Sequence, residues 1–256
     1  MMPFPTKRAL RATSLTITTA ILLAACANVE EQGVSGSGTH DPFESANRAV
    51  HRFNVGADRI VLRPVSRGYD AVVPDGLQTA ITNASDNLSE PSRFLNHSLQ
   101  GNGTGAARSA YRFLVNSTLG LAGTYDLAGA VGVEADDTDF GETLHVWGSG
   151  EGAYVELPLL GPSTTRDATG RVVDAVTNPM SYVLNADARS LRTGLNVADQ
   201  VGDRARFGDT IDGVLYESAD SYSQTQLLYL QNRRFELGIE APDAYIDPTE
   251  IDTEGF

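Results

Sequence analysis

Apolar positions recur at three- and four-residue steps along most of this chain. Ala46, Ala49, Val50, Phe53, Ala57, Ile60 and Val61 form one such stripe, with Arg48, Arg52, Asp58 and Arg59 lying off it. That is the pattern of an amphipathic helix. Asp41-Pro42-Phe43-Glu44 predicts its start, with Asp41 as N-cap, Pro42 in the first helical position and Glu44 closing a capping box. Pro64 is expected to end it. A second helix is predicted from about Gly76 to Ser89, marked by Leu77, Ala80, Ile81, Ala84 and Leu88. Glu90-Pro91 should break it, since the residue before proline avoids the helical region. A shorter helix then carries Phe94, Leu95 and Leu99 to near Gly101, and Ala107, Ala110, Tyr111 and Leu114 mark the next.

Leu119 to Val133 is apolar but interrupted by Gly120, Gly123, Gly129 and Gly132. It reads as a glycine-rich connector, a close helix crossing or a shallow membrane-dipping segment. Thr143–Trp147 and Ala153–Leu157 flank Gly148–Gly152 and give the β-hairpin signal. Further helices are expected around Asp167 to Val176, Ser181 to Leu184, Ala188 to Val201 and Ala219 to Phe235. The expected fold class is mainly α, one domain over residues 41–238 with a small β-hairpin. A loose acidic tail is expected at 239–256.

The amino terminus has a different character. Lys7, Arg8 and Arg11 precede an apolar run from Ser14 to Ala25, and Leu23-Ala24-Ala25-Cys26 follows the order of a bacterial secretion signal. The run is shorter than the ~20 residues a membrane span needs. Leu-Ala-Ala-Cys resembles the lipobox of bacterial lipoproteins. This implies cleavage after residue 25 and a diacylglycerol plus a further acyl chain on Cys26. Residues 27–40 hold Gly33, Ser35, Gly36, Ser37 and Gly38 without an apolar period, a lipidated flexible tether when joined to Cys26 (26–40). Two or more acyl chains give lasting attachment. In Gram-negative lipoproteins an aspartate after the cysteine often signals inner-membrane retention; Ala27 stands here, which leans towards the outer membrane.

Charge narrows the partners. Without residues 1–25 the chain has 231 residues, 16 arginines, no lysine and 33 acids, a formal charge of −17. Such a chain is a poor nucleic-acid binder and is not drawn electrostatically to anionic lipid heads. Cys26 is the only cysteine, so the domain has no disulfide.

Little points to catalysis, and the expectation is that the chain is not an enzyme. No Gly-x-Ser-x-Gly elbow occurs. His40, His51, His97 and His145 are scattered without the spacing of a zinc site. Gly101-x-Gly103-x-Gly105 is better read as a turn before a helix than as a phosphate loop. Asp136, Asp137 and Asp139 lack the EF-hand pattern, so a solvated acidic loop is preferred to a calcium site. No metal and no cofactor beyond the acyl groups on Cys26 is expected.

A series of segments in order carries a family resemblance. It includes Asp41-Pro42-Phe43-Glu44 with Asn47-Arg48, Phe53-Asn54-Val55, Leu62-Arg63-Pro64-Val65 and Asn87-Leu88-Ser89-Glu90-Pro91. It continues with Arg112-Phe113-Leu114-Val115-Asn116-Ser117, Asp126-Leu127-Ala128-Gly129 and Asp139-Phe140-Gly141-Glu142. Gly152-Ala153-Tyr154-Val155-Glu156-Leu157-Pro158, Leu160-Gly161-Pro162 and Tyr229-Leu230-Gln231-Asn232-Arg233-Arg234 close it. With the lipobox, the chain resembles the VacJ/MlaA lipoproteins. The resemblance implies a ring or disc of interfacial amphipathic helices in the periplasmic leaflet of the outer membrane. It also implies a pore that removes mislocalised phospholipids from the outer leaflet for retrograde transport. A soluble MlaC-like periplasmic carrier and a trimeric porin are the implied partners. The alternative reading is a porin-associated envelope scaffold without lipid passage.

His51-Arg52 stands where relatives often have an aromatic-rich run, and Ala57-Asp58 is more polar than the family pattern suggests. Phe53 and Asn54 are the possible pore or gate position, because the resemblance puts this helix near the pore. The plainer reading makes Phe53 a core residue of the stripe. The gate reading expects Phe53→Leu, which keeps phase and apolarity, to disturb lipid asymmetry without lowering thermal stability. Normal asymmetry at normal stability would remove its support.

Overall fold

Residues 40–239 are described in the structure, a computed structural model of the chain. Cys26, the signal segment, the tether up to residue 39 and the tail from residue 240 lie outside them.

Helix α1 (Glu44–Ala57) begins at Glu44 rather than at Asp41, without a side-chain cap. The Asp41 carboxylate instead accepts from Asn47 Nδ2 at 2.8 Å, Gln226 Nε2 at 3.0 Å and the Tyr222 hydroxyl. Tertiary donors have replaced the expected cap. Nor does Pro64 end the helical path. A π-helical turn over Asp58–Leu62 leads directly into α2 (Arg63–Val72), with Pro64 in its first turn. Proline fits there because an N–H in the first turn has no intrahelical partner to lose.

The break expected at Glu90-Pro91 is also absent: α3 (Asp75–Leu99) runs through Pro91. An interior proline costs about 3 kcal/mol. Long packing against α4 (Gly103–Thr118), the most extensive helix pair, offsets that cost. The connector after α4 turns through Leu121, Ala122 and Gly123, all at positive φ, and enters the short α5 (Leu127–Ala130). Gly123 is required there, since a Cβ would meet the Asn87 side chain at 2.6 Å.

The hairpin is displaced from its expected place. Thr143–Val146 belongs to α6 (Phe140–Val146), whose start is fixed by Glu142 N donating to Asp139 Oδ1 at 2.7 Å. Five residues of alternation are too few to outweigh such a cap. The expected second strand does form, as β1 (Tyr154–Leu157), but pairs forwards with β2 (Gly161–Thr164). The register is antiparallel, from Tyr154 opposite Thr164 to Leu157 opposite Gly161.

Five further helices follow among the described residues: α7 (Thr165–Thr177), α8 (Met180–Val183), α9 (Ala186–Arg206), α10 (Gly208–Asp212) and α11 (Ser221–Glu236). A second π-helical turn, Gly213–Glu217, follows α10. Helix α9 packs on α2 and α3, α6 packs on α7, and the hairpin joins α1, α7 and α11. The fold is mainly helical with one two-stranded hairpin, as the sequence pattern predicts. No helix among the described residues is long and apolar enough to cross a membrane.

Polarity is inverted relative to a water-soluble helical bundle. Among the described residues the buried set holds eight hydrophobic residues against twenty-one polar or charged ones, while thirty-two large hydrophobics are exposed. On α1 the apolar stripe faces outward: Phe53 is 56% exposed and, in the turn that follows, Ile60 is 77% exposed, whereas Asn47, His51 and Asp58 are buried. On α4, Tyr111 and Leu114 are exposed, and Ser109, Arg112 and Asn116 are buried. The stripes are at the predicted spacing but turn away from the interior.

The interior is held by paired charges and amides. Arg112 Nε donates to Glu90 Oε1 at 2.7 Å, and its other nitrogens reach Val133 O at 2.6 Å and Asp126 Oδ2 at 3.2 Å. Arg204 bridges Asp58 (2.8 Å) and Asp212 (2.6 Å), which ties the first π turn to α9 and α10. Burial opposes ionisation of Asp58 most strongly, but hydrogen bonds from Arg204 and Tyr216 outweigh it and hold the carboxyl below its ordinary value. Asp126 is likewise opposed by burial and lowered by its bonds from Gly129, Asn116 and Arg112.

Breaking one partner of such a buried pair costs about 3–5 kcal/mol. Arg112→Met is therefore expected to lower stability by about that amount, and Glu90→Gln in the same chain to restore part of it; denaturant unfolding of the detergent-solubilised protein measures both. Folded-state pKa values of Asp58 and Asp126 lie below the ordinary aspartate value, so their contribution is present above the unfolded value and is lost as pH falls through the folded ones. An acid titration should show stability flat near neutrality and falling below about pH 4.

Candidate functional site

The polar interior opens into a cavity of about 560 Å³. Helix α3 contributes Ser89, Ser92, Arg93 and Asn96; the start of α6 contributes Thr138, Asp139 and Glu142; α7 contributes Asp174; α11 contributes Arg233 and Glu236. Four helices therefore meet at this space. Gly170 and Gly141 let α7 and α6 approach closely, since a Cβ on Gly170 would strike the Gly141 backbone.

Its two arginines are fully engaged. Arg233 reaches Asp139 at 2.7 Å, Asp167 at 3.3 Å and Glu236 at 3.1 Å. Arg93 reaches Asp137 at 2.6 Å, Asp86 at 3.1 Å and Glu90 at 3.3 Å. The two carboxyls of Asp174 and Glu142 are pushed up, in both cases chiefly by burial. Asp174 takes neutral donors only, Asn96 Nδ2 at 2.9 Å and Phe140 N at 3.0 Å.

An apolar cavity of about 340 Å³ lies on the neighbouring face of α11, lined by Ile211, Val214, Leu215, Leu228 and Tyr229 among others. Tyr229 lines this cavity and Arg233, one turn along, lines the polar one. Asp167 links them, accepting from the Tyr229 hydroxyl at 2.7 Å and pairing with Arg233. A polar chamber thus stands beside an apolar one, an arrangement suited to an amphiphile rather than to a uniformly polar solute.

The sequence-predicted residues fall in different places. Cys26 lies outside the described residues. Asn54 is the clamp between α1 and the hairpin turn: it donates to Glu156 Oε1 (3.1 Å) and Leu157 O (3.0 Å) and accepts from Leu159 N (2.7 Å). Phe53 points outward beside it, so it is not a core residue. Neither residue lines either cavity. The acidic loop is not simply solvated: Asp136 pairs with Arg108 at 3.0 Å, Asp137 with Arg93, and Asp139 with Arg233. Gly101–Gly105 forms a turn and helix start, with Gly105 N donating to Asn102 Oδ1 at 2.9 Å.

One arrangement was not legible in the sequence. His51 lies between Ser221 Oγ (3.0 Å from Nε2) and Glu156 Oε1 (3.4 Å from Nδ1). This has the order of a nucleophile, base and orienting acid. Glu156, however, is also held by Tyr154 at 2.6 Å and by Asn54, and the His51 ring packs edge-on against Tyr222. None of the three residues lines either of these cavities. The trio joins α1, β1 and α11. What the sequence does carry is the polar spacing of the buried helix faces: Asn47, His51, Asn54 and Asp58 recur at helical steps, as do Gly105, Ser109, Arg112 and Asn116.

Comparison with known proteins agrees with this architecture. The family model described as "MlaA lipoprotein" matches residues 39–236. The Escherichia coli K12 protein named "Intermembrane phospholipid transport system lipoprotein MlaA" is 32% identical over 230 residues, 88% of each chain. An uncharacterised protein of Rickettsia conorii is 34% identical over 184 residues, 72% of each chain. A solved structure described as "Structural basis for maintenance of bacterial outer membrane lipid asymmetry" superposes with a TM-score of 0.67 at 32% identity, covering 77% of this chain and 98% of that one. With the family matched from before α1 to the last residue of α11, the chain belongs to the MlaA lipoprotein family.

Proposed function

We propose that this protein is a lipid-anchored phospholipid transporter of the outer membrane. It removes mislocalised phospholipids from the outer leaflet and passes them to a soluble periplasmic carrier for retrograde transport. The observation that carries this reading is the inverted polarity, an apolar exterior around a polar interior with a cavity. Exposed apolar surface on this scale is costly in water and is stabilised by contact with hydrocarbon. Helices too short or too polar to span are suited to lying in one leaflet, as a ring or disc around the polar space. A head group then crosses beside Ser89, Ser92 and Asn96, while its tails remain in apolar surroundings. The names of the Escherichia coli and other relatives support the same activity.

Cys26 is the anchor in this proposal, and its acyl chains hold the domain at the periplasmic leaflet. A trimeric porin and an MlaC-like carrier are the partners. Phe53 and Asn54 are the gate position: the Asn54 clamp fixes α1 to the hairpin, and releasing it would let α1 move with the outward-facing Phe53. Energy comes from outside this chain or from the lipid gradient.

The test is phospholipid exposed at the cell surface, read by lipid A palmitoylation or by labelling of surface phosphatidylethanolamine. Deleting the gene should raise it. The wild type should reverse the rise and Cys26→Ala should not. Ser92→Trp, which fills the polar cavity, should fail to reverse it at normal protein level. No rise on deletion would favour a porin-associated scaffold, and full rescue by Ser92→Trp would remove the cavity from the path.

A further inference from the structure

Charge pairing within the polar cavity is unequal. Both arginines in its wall, Arg93 and Arg233, already contact three carboxylates each. Glu142 and Asp174 line the same space, and neither forms an ion pair among the described residues. Burial works against both carboxylates. A mobile cation brought beside them relieves that cost, whereas an added anion meets no uncommitted arginine.

We infer that this cavity selects phospholipid head groups bearing a positive ammonium, phosphatidylethanolamine foremost, over net-anionic head groups such as phosphatidylglycerol. This rests on the lipid-passage reading and names its substrate class. The two lipids share the phosphate and the acyl chains, so those contributions cancel from the comparison. What differs is one ammonium against a neutral glycerol, and Glu142 and Asp174 are the groups that sense it. The Ser92 hydroxyl serves either lipid as a hydrogen-bond donor, whereas Ser89 already donates to Ser85 O at 3.1 Å and Thr138 is engaged by Glu142 and Gln100. The apolar exterior makes no such distinction, because tails of equal length contact it equally.

Native mass spectrometry of the full lipidated protein, in detergent micelles doped with equal phosphatidylethanolamine and phosphatidylglycerol, reads the preference directly. The wild type should retain phosphatidylethanolamine over phosphatidylglycerol by about fivefold, the order expected for one charge near a half-buried carboxylate. Glu142→Lys should bring the ratio to about one or below, and Glu142→Gln should give an intermediate value. The glutamine variant keeps size and shape, so it stays informative if the lysine variant fails to fold.

Ser92→Trp should reduce retention of both lipids. If it does not, the lipid sits on the apolar exterior and the inference is overturned. Equal retention by the wild type, or a preference unmoved in both Glu142 variants, also overturns it. The surface-exposure measurement separates the two readings. A normal response to gene deletion with no lipid preference leaves transport standing and removes selectivity. A cavity-dependent preference without any rise on deletion leaves selectivity standing and removes transport.

Discussion

Pairing of buried charge is the constraint on which this molecule depends. Once its apolar stripes turn outward, the helix faces left inside carry Asn, Ser, Asp, Glu and Arg. An isolated ion in such a place is strongly unfavourable, and an unmatched amide costs a lost hydrogen bond. The fold meets this at three arginines by giving each of them several partners, while the buried Arg166 pairs with Asp167 alone. Arg112 holds Glu90, Asp126 and a backbone carbonyl; Arg204 holds Asp58 and Asp212; Arg233 holds Asp139, Asp167 and Glu236. Each cluster ties together segments far apart in the chain.

The complete absence of lysine from residue 8 onward fits that constraint. Guanidinium is planar, stays charged and presents a fork of donors, so one side chain can satisfy two carboxylates at fixed angles. Lysine is a strongly hydrated point charge that loses its proton more readily when buried. The two positions that depart from the family pattern have a physical account in the same terms. His51 is the centre of the Ser221–Glu156 link, and Asp58 is one of the two carboxylates held by Arg204. Both are interior contacts rather than a polar surface on α1.

This architecture also explains how irregular backbone is tolerated. The π turn at Asp58–Leu62 sits where Asp58 must reach Arg204, and Tyr216 of the second π turn donates to the same carboxylate at 2.5 Å. Widened turns of this kind often coincide with positions where side-chain direction matters more than helix regularity. Pro91 likewise stands one residue after Glu90, whose pairing with Arg112 keeps α3 against α4 across the missing hydrogen bond.

By itself the sequence determined the helical character, the apolar stripes and the family, because spacing and local motifs are written along the chain. It also located one strand, near Ala153–Leu157, whereas the caps at Asn102, Asp126 and Asp139 emerged only in the structure. Tertiary structure decided which face of each helix is inside, since an amphipathic period has the same form whether the medium outside is water or lipid. The polar stripes themselves held the clue: Asn47, His51 and Asn54, or Ser109 and Asn116, are not the lysine and glutamate of an ordinary solvated face. Tertiary structure likewise decided the loss of the Asp41 cap, the passage through Pro64 and Pro91, and the partner of β1. The cavity was illegible for the same reason: residues near positions 90, 140, 174 and 233 meet only after folding, and no local spacing records that encounter.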